Sequence, residues 1–199
     1  PGGKPTQLEK IKTILNHTGY KLLKLEQKVY KLNSLLKIDF NAIAKGYGVD
    51  KVFQFIKDQG LDNIFVEIGG EVRAQGISSR GNTWTIGVEA PTLTKQSKTP
   101  FAAVIELDGN SMATSGNYRN YIEYNGETLG HTINPQIGYP INSNVLSVTT
   151  FAQSCMVADA WATALMTMEY RKGVEYLKKV DGVSALWVLN DNGIRKIKR

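Results

Sequence analysis

Residues 144–168 read NVLSVTTFAQSCMVADAWATALMTM, and this stretch is the most informative about the fold. Its first half is rich in β-branched residues and predicts a strand over 144–150. Its second half is an Ala- and Met-rich run that predicts a helix over 154–168. The chain therefore places a well-defined strand directly before its strongest helix.

Outward from this stretch, hydrophobic periodicity and turn residues predict further elements on both sides. Helices are expected over 7–17, 46–58 and 170–180, strands over 64–68, 83–89, 102–107 and 118–124, and hairpins over 22–32 and 185–197, the last one turning at Asp191, Asn192 and Gly193. Strands are gathered between helices without regular alternation of strand and helix. This order favours an α+β fold over a doubly wound parallel sheet.

Composition excludes several classes of protein. Hydrophobic residues make up 42% of the 199 residues, which is enough for one substantial core and argues against disorder. The single Cys155 excludes an internal disulfide and any multi-cysteine metal site. No apolar run approaches the roughly 18 residues of a membrane-spanning helix. Because the sequence begins with Pro1 rather than Met, we expect a processed product or part of a longer protein.

Charge is distributed unevenly along the chain. Residues 1–51 carry ten lysines against four acidic residues, and residues 194–199 add four basic residues, whereas the chain between them is net acidic. A basic flank can attract nucleic acid or anionic lipid. These lysines are spread through predicted elements, however, and aromatic residues do not interleave them as a stacking platform requires. A solvated basic face is the expected role, and nucleic-acid binding is not expected.

Common phosphate-binding and hydrolase motifs are absent. The sequence has no G-x-x-x-x-G-K-[ST], and Gly46-Tyr47-Gly48 lacks the third glycine of a dinucleotide fingerprint. Ser115 is not in a G-x-S-x-G elbow, and the chain has only two histidines to complete a triad. A Rossmann domain, a P-loop and a serine hydrolase are therefore poor interpretations.

Asp159 and Thr163 form a candidate metal site. They lie four residues apart in an otherwise apolar helix, so both oxygens lie on one helical face. A carboxylate and a hydroxyl are hard ligands that suit Mg²⁺, which takes its remaining ligands from water and substrate phosphates. The alternative is structural: an Asp in the first helical turn and a Thr that bonds its own backbone.

Two glycine-containing segments are candidates for binding a ligand. Residues 39–50 form a turn that enters a helix, where backbone amides and Lys45 could receive a phosphate; an ordinary helix entry is the alternative. In residues 67–73 a predicted strand runs into Gly69 and Gly70. Paired glycines permit close approach of a ligand, and they equally suit a tight turn.

His131 is the candidate general base. It lies in residues 130–140, a loop stiffened by Pro135 and Pro140, which is the kind of rigid loop that positions a catalytic side chain. A lone loop histidine can also be structural or solvated, and this alternative stays open.

Five segments of the sequence form a recognisable set: Asp39–Asp50, Glu67–Gly76, Ser111–Tyr121, His131–Pro140 and Ala158–Leu165. In order and spacing, they resemble the blocks of the ApbE-type flavin transferases, also called FAD:protein FMN transferases. The resemblance implies a T-fold-like α+β architecture with antiparallel sheets packed against helices. It also implies an enzyme that binds FAD with Mg²⁺ and transfers FMN to a threonine or serine hydroxyl of a target protein, releasing AMP. An FAD pyrophosphatase and a non-catalytic flavin-binding protein are the alternatives.

The resemblance also implies roles for individual residues. Asp159 and Thr163 match metal-binding side chains, and Ala44 matches the residue whose backbone carbonyl completes the protein ligands. His131 matches a histidine close to the flavin diphosphate. The residues that fall in blocks lining the FAD site are Lys45, Gly69, Gly70, Glu71, Thr114, Ser115 and Gly116. Two positions depart from the family: Asn134 stands where many members have Asp, and Ile137 replaces a common Thr.

The same resemblance implies partners and a location. The expected acceptors are flavin-carrying subunits of membrane redox complexes of the sodium-pumping quinone reductase type. The expected location is the periplasmic or extracytoplasmic face of a bacterial inner membrane, reached through a lipoprotein anchor that this sequence does not contain. Residues 1–199 are expected to form the main part of a flavin transferase domain, with the family's N-terminal portion missing, an apolar patch exposed in its place and FAD bound more weakly.

Overall fold

The part of the chain that the structure describes contains four α-helices and fourteen strands. The structure is a computed structural model that describes residues 8–91, 101–116, 121–124, 127–130, 132–140 and 143–198. Its helices are α1 (Leu8–Leu15), α2 (Ala44–Asp58), α3 (Cys155–Met166) and α4 (Tyr170–Leu177). Its strands are β1 (Leu23–Leu25), β2 (Val29–Lys31), β3 (Ile64–Ile68), β4 (Glu71–Gln75), β5 (Trp84–Glu89), β6 (Phe101–Leu107), β7 (Asn110–Gly116), β8 (Tyr121–Tyr124), β9 (Glu127–Gly130), β10 (Ile133–Asn134), β11 (Tyr139–Pro140), β12 (Val145–Ala152), β13 (Val183–Asp191) and β14 (Ile194–Lys198).

A six-stranded antiparallel sheet forms the centre, in the order β14-β13-β12-β7-β4-β3. Its middle strands are buried on both faces, which explains the continuous apolar run Ala185–Leu189 on β13. The strand pairs β1-β2, β5-β6, β8-β9 and β10-β11 are separate two-stranded units, also antiparallel. The α+β class and the antiparallel sheets predicted from the sequence are confirmed.

Layers of different kinds cover the two faces of this sheet. The hairpin β5-β6 packs on one face, where Val88 and Leu107 join Val72, Met112 and Leu186 in a single core. Helices α2, α3 and α4 supply other apolar clusters: Phe53 of α2 packs with Ile64 and Val66 of β3, and Leu165 of α3 packs with Trp187 of β13. The molecule is therefore a helix–sheet–hairpin sandwich, and the helical layer carries α2 and α3 side by side.

Helix α3 approaches the sheet closely because its inward residues are small. Ala158 and Ala162 are fully buried and form one cluster with Ala113 of β7 and Ala152 of β12. Cys155, the first residue of α3, is fully buried. Burial and the nearby carboxylates of Asp50, Glu71 and Asp159 raise the pKa of its thiol to about 12. The cysteine is therefore a protonated packing residue.

Two strands of the central sheet were not predicted from the sequence. Strand β7 reads NSMATSG, a polar string, yet it lies in the middle of the sheet and buries Ser111, Met112 and Ala113. Strand β4 follows Gly69 and Gly70 directly, and both glycines adopt positive φ angles, 62° and 100°. The paired glycines therefore do form a tight hairpin turn, as one of the two interpretations held.

Exposed apolar side chains are concentrated in residues 14–40. Ile14, Tyr20, Leu25, Val29, Tyr30, Leu32, Leu35, Ile38 and Phe40 are all exposed. None of the helices within the described ranges is long and apolar enough to cross a membrane.

Candidate active site

A cleft of about 1020 Å³ lies beside the helical layer, where the β3–β4 turn, the end of β7, the start of α2 and one face of α3 meet. Nine residues singled out in the sequence line it: Lys45, Gly69, Gly70, Glu71, Thr114, Ser115, Gly116, Asp159 and Thr163. Segments more than 100 residues apart in the chain therefore contribute to one site.

Asp159 and Thr163 lie on the cleft side of α3. The helix begins at Cys155, and the Ser154 hydroxyl caps it by accepting a hydrogen bond from the Val157 amide at 3.4 Å. Asp159 is only 3% exposed, and its Oδ2 accepts a hydrogen bond from the Gly46 amide at 3.0 Å. The Thr163 hydroxyl lies 3.4 Å from the Ser115 hydroxyl. Both candidate metal ligands therefore have defined positions.

The environment of Asp159 disfavours its negative charge. Burial raises the pKa of this carboxyl, and the Gly46 amide and the Lys45 ammonium offset only part of that effect. A bound cation at this position would stabilise the ionised carboxylate.

Lys45 and Glu71 form an ion pair in the cleft. Lys45 Nζ lies 2.5 Å from Glu71 Oε2, and Glu71 is 2% exposed, whereas the lysine side chain is about half exposed. Burial raises the pKa of Glu71, and Lys45 counteracts this shift. A Cβ atom on Gly69 would lie 3.3 Å from Cδ of Lys45, so the β3–β4 turn packs closely along the lysine stem. The ammonium is thereby held at the cleft surface.

The charge of the cleft points to a cation. Among its described lining residues the acidic ones are Asp39, Glu71, Glu89 and Asp159, and the basic one is Lys45. An anionic ligand such as a diphosphate would be repelled by this excess of carboxylates unless a cation accompanied it.

Hard oxygen donors are available for such a cation. The described residues hold no cluster of three or more His, Cys, Asp or Glu side chains suited to a metal. The side-chain donors here are instead the Asp159 carboxylate and the Thr163 hydroxyl, a pair that fits Mg²⁺ with water and phosphate oxygens as further ligands.

Two predicted site residues, Ala44 and His131, are not among the described residues that line the cleft. Ala44 is the first residue of α2, next to Lys45 and two residues before the Gly46 amide that binds Asp159. His131 lies outside the described residues. The roles predicted for both residues stay predictions.

Other lining residues were not named as site residues from the sequence. Asp39 accepts hydrogen bonds from the backbone and side-chain nitrogens of Asn41, at 2.7 and 3.1 Å, and both residues line the cleft ahead of α2. Glu89, at the end of β5, and Thr167, just after α3, also line it. Asp39 and Asn41 belong to segment 39–50, which the sequence indicates as a candidate for ligand binding, whereas nothing in the sequence indicates a role for Glu89.

Asn134 has two contacts that explain how a departure from the family is accommodated. Its Oδ1 accepts a hydrogen bond from the Gln136 amide at 2.8 Å, and its Nδ2 donates to the Thr167 carbonyl at 3.3 Å. An aspartate could make the first contact and not the second, because an ionised carboxylate has no proton to donate. Asn134 thus ties the loop containing Thr132, Ile133 and Pro135, which lines the cleft, to the end of α3.

The fold and the cleft define an α+β domain with an acidic, oxygen-rich ligand site. The ApbE family model matches residues 2–187. The chain belongs to the ApbE family.

Relatives and solved structures agree with this assignment. The FAD:protein FMN transferase of Vibrio cholerae is 40% identical over 161 residues, which cover 81% of this chain and 47% of that protein. The enzyme of the same name from Haemophilus influenzae is 40% identical over 156 residues, covering 78% and 44% of the two chains. The solved flavin transferase ApbE from Vibrio cholerae superposes with a TM-score of 0.86 at 34% identity, covering 100% of this chain and 62% of that one. Apo flavinyl transferase ApbE from Pseudomonas stutzeri gives 0.85 at 34% identity, covering 99% and 60%.

The chain spans about half the length of the curated relatives it matches. Their activity therefore applies to this chain as a proposal.

Proposed function

We propose that this chain carries FAD:protein FMN transferase activity: it transfers FMN from FAD to a threonine or serine hydroxyl of a target flavoprotein subunit and releases AMP. The observation that carries this proposal is the meeting of Asp159, Thr163 and Lys45 in one acidic cleft, in a chain of the ApbE family. The first two offer hard oxygen donors, and the third offers a positive charge for an anionic ligand.

The proposed reaction is a phosphoryl transfer. The acceptor hydroxyl oxygen bonds to the phosphorus nearer riboflavin, and the bond from that phosphorus to the oxygen bridging to AMP breaks. AMP leaves with the bridging oxygen and its electron pair, while the hydroxyl proton passes to a base. Such chemistry requires mainly positioning and charge neutralisation from a protein.

Asp159, Thr163 and the Ala44 carbonyl would hold Mg²⁺, which when bound neutralises charge on the diphosphate oxygens. Asp159 is held ready for this role by the Gly46 amide. Thr163 is held beside Ser115 by the contact between their hydroxyls.

The remaining residues would bind and orient the substrate. Lys45, held at the cleft surface by Glu71, would attract a phosphate oxygen. The backbone of Gly69 and Gly70 leaves space for close approach of a ligand. His131 would accept the hydroxyl proton, since a histidine with an ordinary pKa of about 6.5 is suited to this step near neutral pH.

The proposed partners and location follow from the resemblance to the family. We place the acceptor among the flavin-carrying subunits of membrane redox complexes of the sodium-pumping quinone reductase type. We place the reaction at the extracytoplasmic face of a bacterial inner membrane. Fractionation of the native host with detection of covalent flavin on membrane subunits, in the presence and absence of the gene, tests both statements.

One incubation tests the proposed activity. The chain is mixed with FAD, Mg²⁺ and a candidate acceptor domain, and the products are separated by denaturing electrophoresis and chromatography. A fluorescent acceptor and free AMP are expected. An acceptor variant that replaces the target threonine with alanine is the control and should stay unlabelled. Free FMN with an unlabelled acceptor would instead show an FAD pyrophosphatase, and bound but unchanged FAD would show a flavin-binding protein.

A further inference from the structure

Helix α2 is attached to strand β4 by two ion pairs. Lys45 pairs with Glu71, and five residues further along α2 Asp50 pairs with Arg73, whose Nη1 lies 2.6 Å from Oδ1 of Asp50. Glu71 and Arg73 are two residues apart on the strand and so point to the same face. The first pair lies in the cleft, whereas Asp50 and Arg73 are not among its described lining residues.

The Asp50 carboxylate also binds the N-terminus of α3. Its Oδ1 accepts a hydrogen bond from the Cys155 amide at 3.0 Å, and its Oδ2 accepts one from the Met156 amide at 3.0 Å. The Ser154 hydroxyl donates to Oδ2 at 2.7 Å. The first amides of a helix have no partner within that helix. A side chain from another helix therefore satisfies two of them.

A second contact joins the two helices one turn away. Gly46, four residues before Asp50 on α2, donates its amide to Asp159, four residues after Cys155 on α3. The helices approach so closely here that a Cβ atom on Gly46 would lie 2.4 Å from the Cys155 carbonyl oxygen. Asp50 thus binds the first two amides of α3, and Gly46 binds Asp159 about one turn further along the same helix.

Arg73 is placed to keep Asp50 in position. Its guanidinium lies 4.3 Å from the centre of the Phe53 ring, one turn after Asp50 on α2, and each member of the Arg73–Asp50 pair is about one-fifth exposed or less. Burial alone would raise the pKa of Asp50, but the Met156 and Cys155 amides, the Ser154 hydroxyl and Arg73 outweigh it, so the pKa is lowered. The carboxylate is therefore ionised at neutral pH.

From these contacts we infer that Asp50 is a positioning residue for the cation site. Asp50 lies on α2 and caps the N-terminus of α3, and it thereby sets the distance between Asp159 on α3 and the first residues of α2, Ala44 and Lys45. This inference rests on the proposed function for its metal. It concerns the geometry of two helices, however, and this geometry can be measured without any turnover.

The test compares Asp50→Asn with the wild-type chain and with Val188→Ala. Asp50→Asn keeps the side-chain shape but loses the charge and the pairing with Arg73. Val188 is buried in the core under the hairpin and is not among the described residues that line the cleft, so Val188→Ala lowers stability without touching either helix contact. Should Asp50→Asn fail to fold, Ser154→Ala takes its place, because it removes one donor to the same carboxylate.

Two readouts are used: hydrogen exchange of the Gly46 amide by NMR, and calorimetric titration of Mg²⁺ in the presence of FAD. In Asp50→Asn we expect the protection factor of the Gly46 amide to fall about tenfold more than the loss of global stability alone would cause. We also expect the Mg²⁺ Kd to rise by at least about tenfold, which is the size of effect seen when residues that orient metal ligands are altered. Val188→Ala should change Gly46 protection only in proportion to global stability and leave the Kd unchanged.

Wild-type Gly46 protection in Asp50→Asn, after correction for global stability, would overturn the inference, and so would an unchanged Mg²⁺ Kd. If the wild-type chain itself binds no Mg²⁺ with FAD, the metal part of the proposed function fails. Gly46 protection then decides by itself whether Asp50 holds α3 in place.

Discussion

The Gly46 amide lies 3.0 Å from the Asp159 carboxylate, and this contact joins the start of α2 to the candidate metal ligand of α3. It exists only because residue 46 has no side chain: an added Cβ would meet the Cys155 backbone at 2.4 Å. A glycine that resembles part of a nucleotide-binding fingerprint therefore acts here through helix packing.

Gly46→Ala should damage both stability and the site. Because its Cβ would meet backbone atoms, α2 and α3 must move apart, at a cost of about 1–3 kcal/mol in unfolding free energy. The matched control is Gly48→Ala, whose Cβ would lie 3.4 Å from the flexible Ile68 side chain. That variant should be neutral or more stable by roughly 0.5–1 kcal/mol, since alanine favours a helix interior over glycine. Urea denaturation of both variants measures the difference, and equal stabilities would contradict the packing described for Gly46.

Asp159→Asn should stabilise the metal-free chain while abolishing its response to metal. The substitution preserves an acceptor for the Gly46 amide and removes a charge that burial disfavours, so the melting temperature without metal should rise. Mg²⁺ with FAD should raise the melting temperature of the wild-type chain by mass action and leave that of Asp159→Asn unchanged. A thermal shift of wild-type size in the variant would remove Asp159 from the metal site.

Much of this arrangement could be predicted from the sequence. The spacing of Asp159 and Thr163 predicts two oxygens on one helical face. In the structure both residues line the cleft, together with Lys45 and Glu71 from the other candidate segments. Patterning could not identify β7, because a polar strand in the centre of a sheet lacks the alternation that marks a half-buried one.

The role of Asp50 was also beyond the reach of local patterns. Its partners at the start of α3 lie more than 100 residues away along the chain, and only the folded chain brings them to Asp50. Long-range capping of this kind leaves no mark in the spacing of nearby residues.

The stabilising effect of ionised Asp50 should be lost at acidic pH. Its pKa in the folded chain lies below the ordinary value of 3.8, so the ionised carboxylate contributes stability above that value, and this contribution is lost as pH falls through the lowered pKa. Wild type should therefore exceed Asp50→Asn in stability by a constant amount above about pH 5, with the gap shrinking at more acidic pH. Chemical denaturation across this range measures the difference in unfolding free energy between the two chains. A difference that grows as the pH falls would contradict a lowered pKa of Asp50 in the folded chain.

His131→Ala tests the predicted base. If His131 accepts the hydroxyl proton, the chemical step should slow by roughly 10²–10⁴-fold, and the pH–rate profile should flatten between about pH 5.5 and 7.5. Single-turnover kinetics with saturating FAD isolates this step. A variant that weakens FAD binding and leaves the single-turnover rate intact would make His131 a binding residue.

The proposed function requires that this acidic cleft binds the FAD diphosphate through a cation held by Asp159. Calorimetric titration of FAD into the wild-type chain and into Asp159→Ala, each with and without Mg²⁺, tests it most directly. Mg²⁺ should tighten FAD binding by the wild-type chain by more than about tenfold, because a cation offsets the charge of both ligand and cleft, and should have little effect on Asp159→Ala. Equal FAD affinity of the wild-type chain with and without Mg²⁺ would contradict the claim.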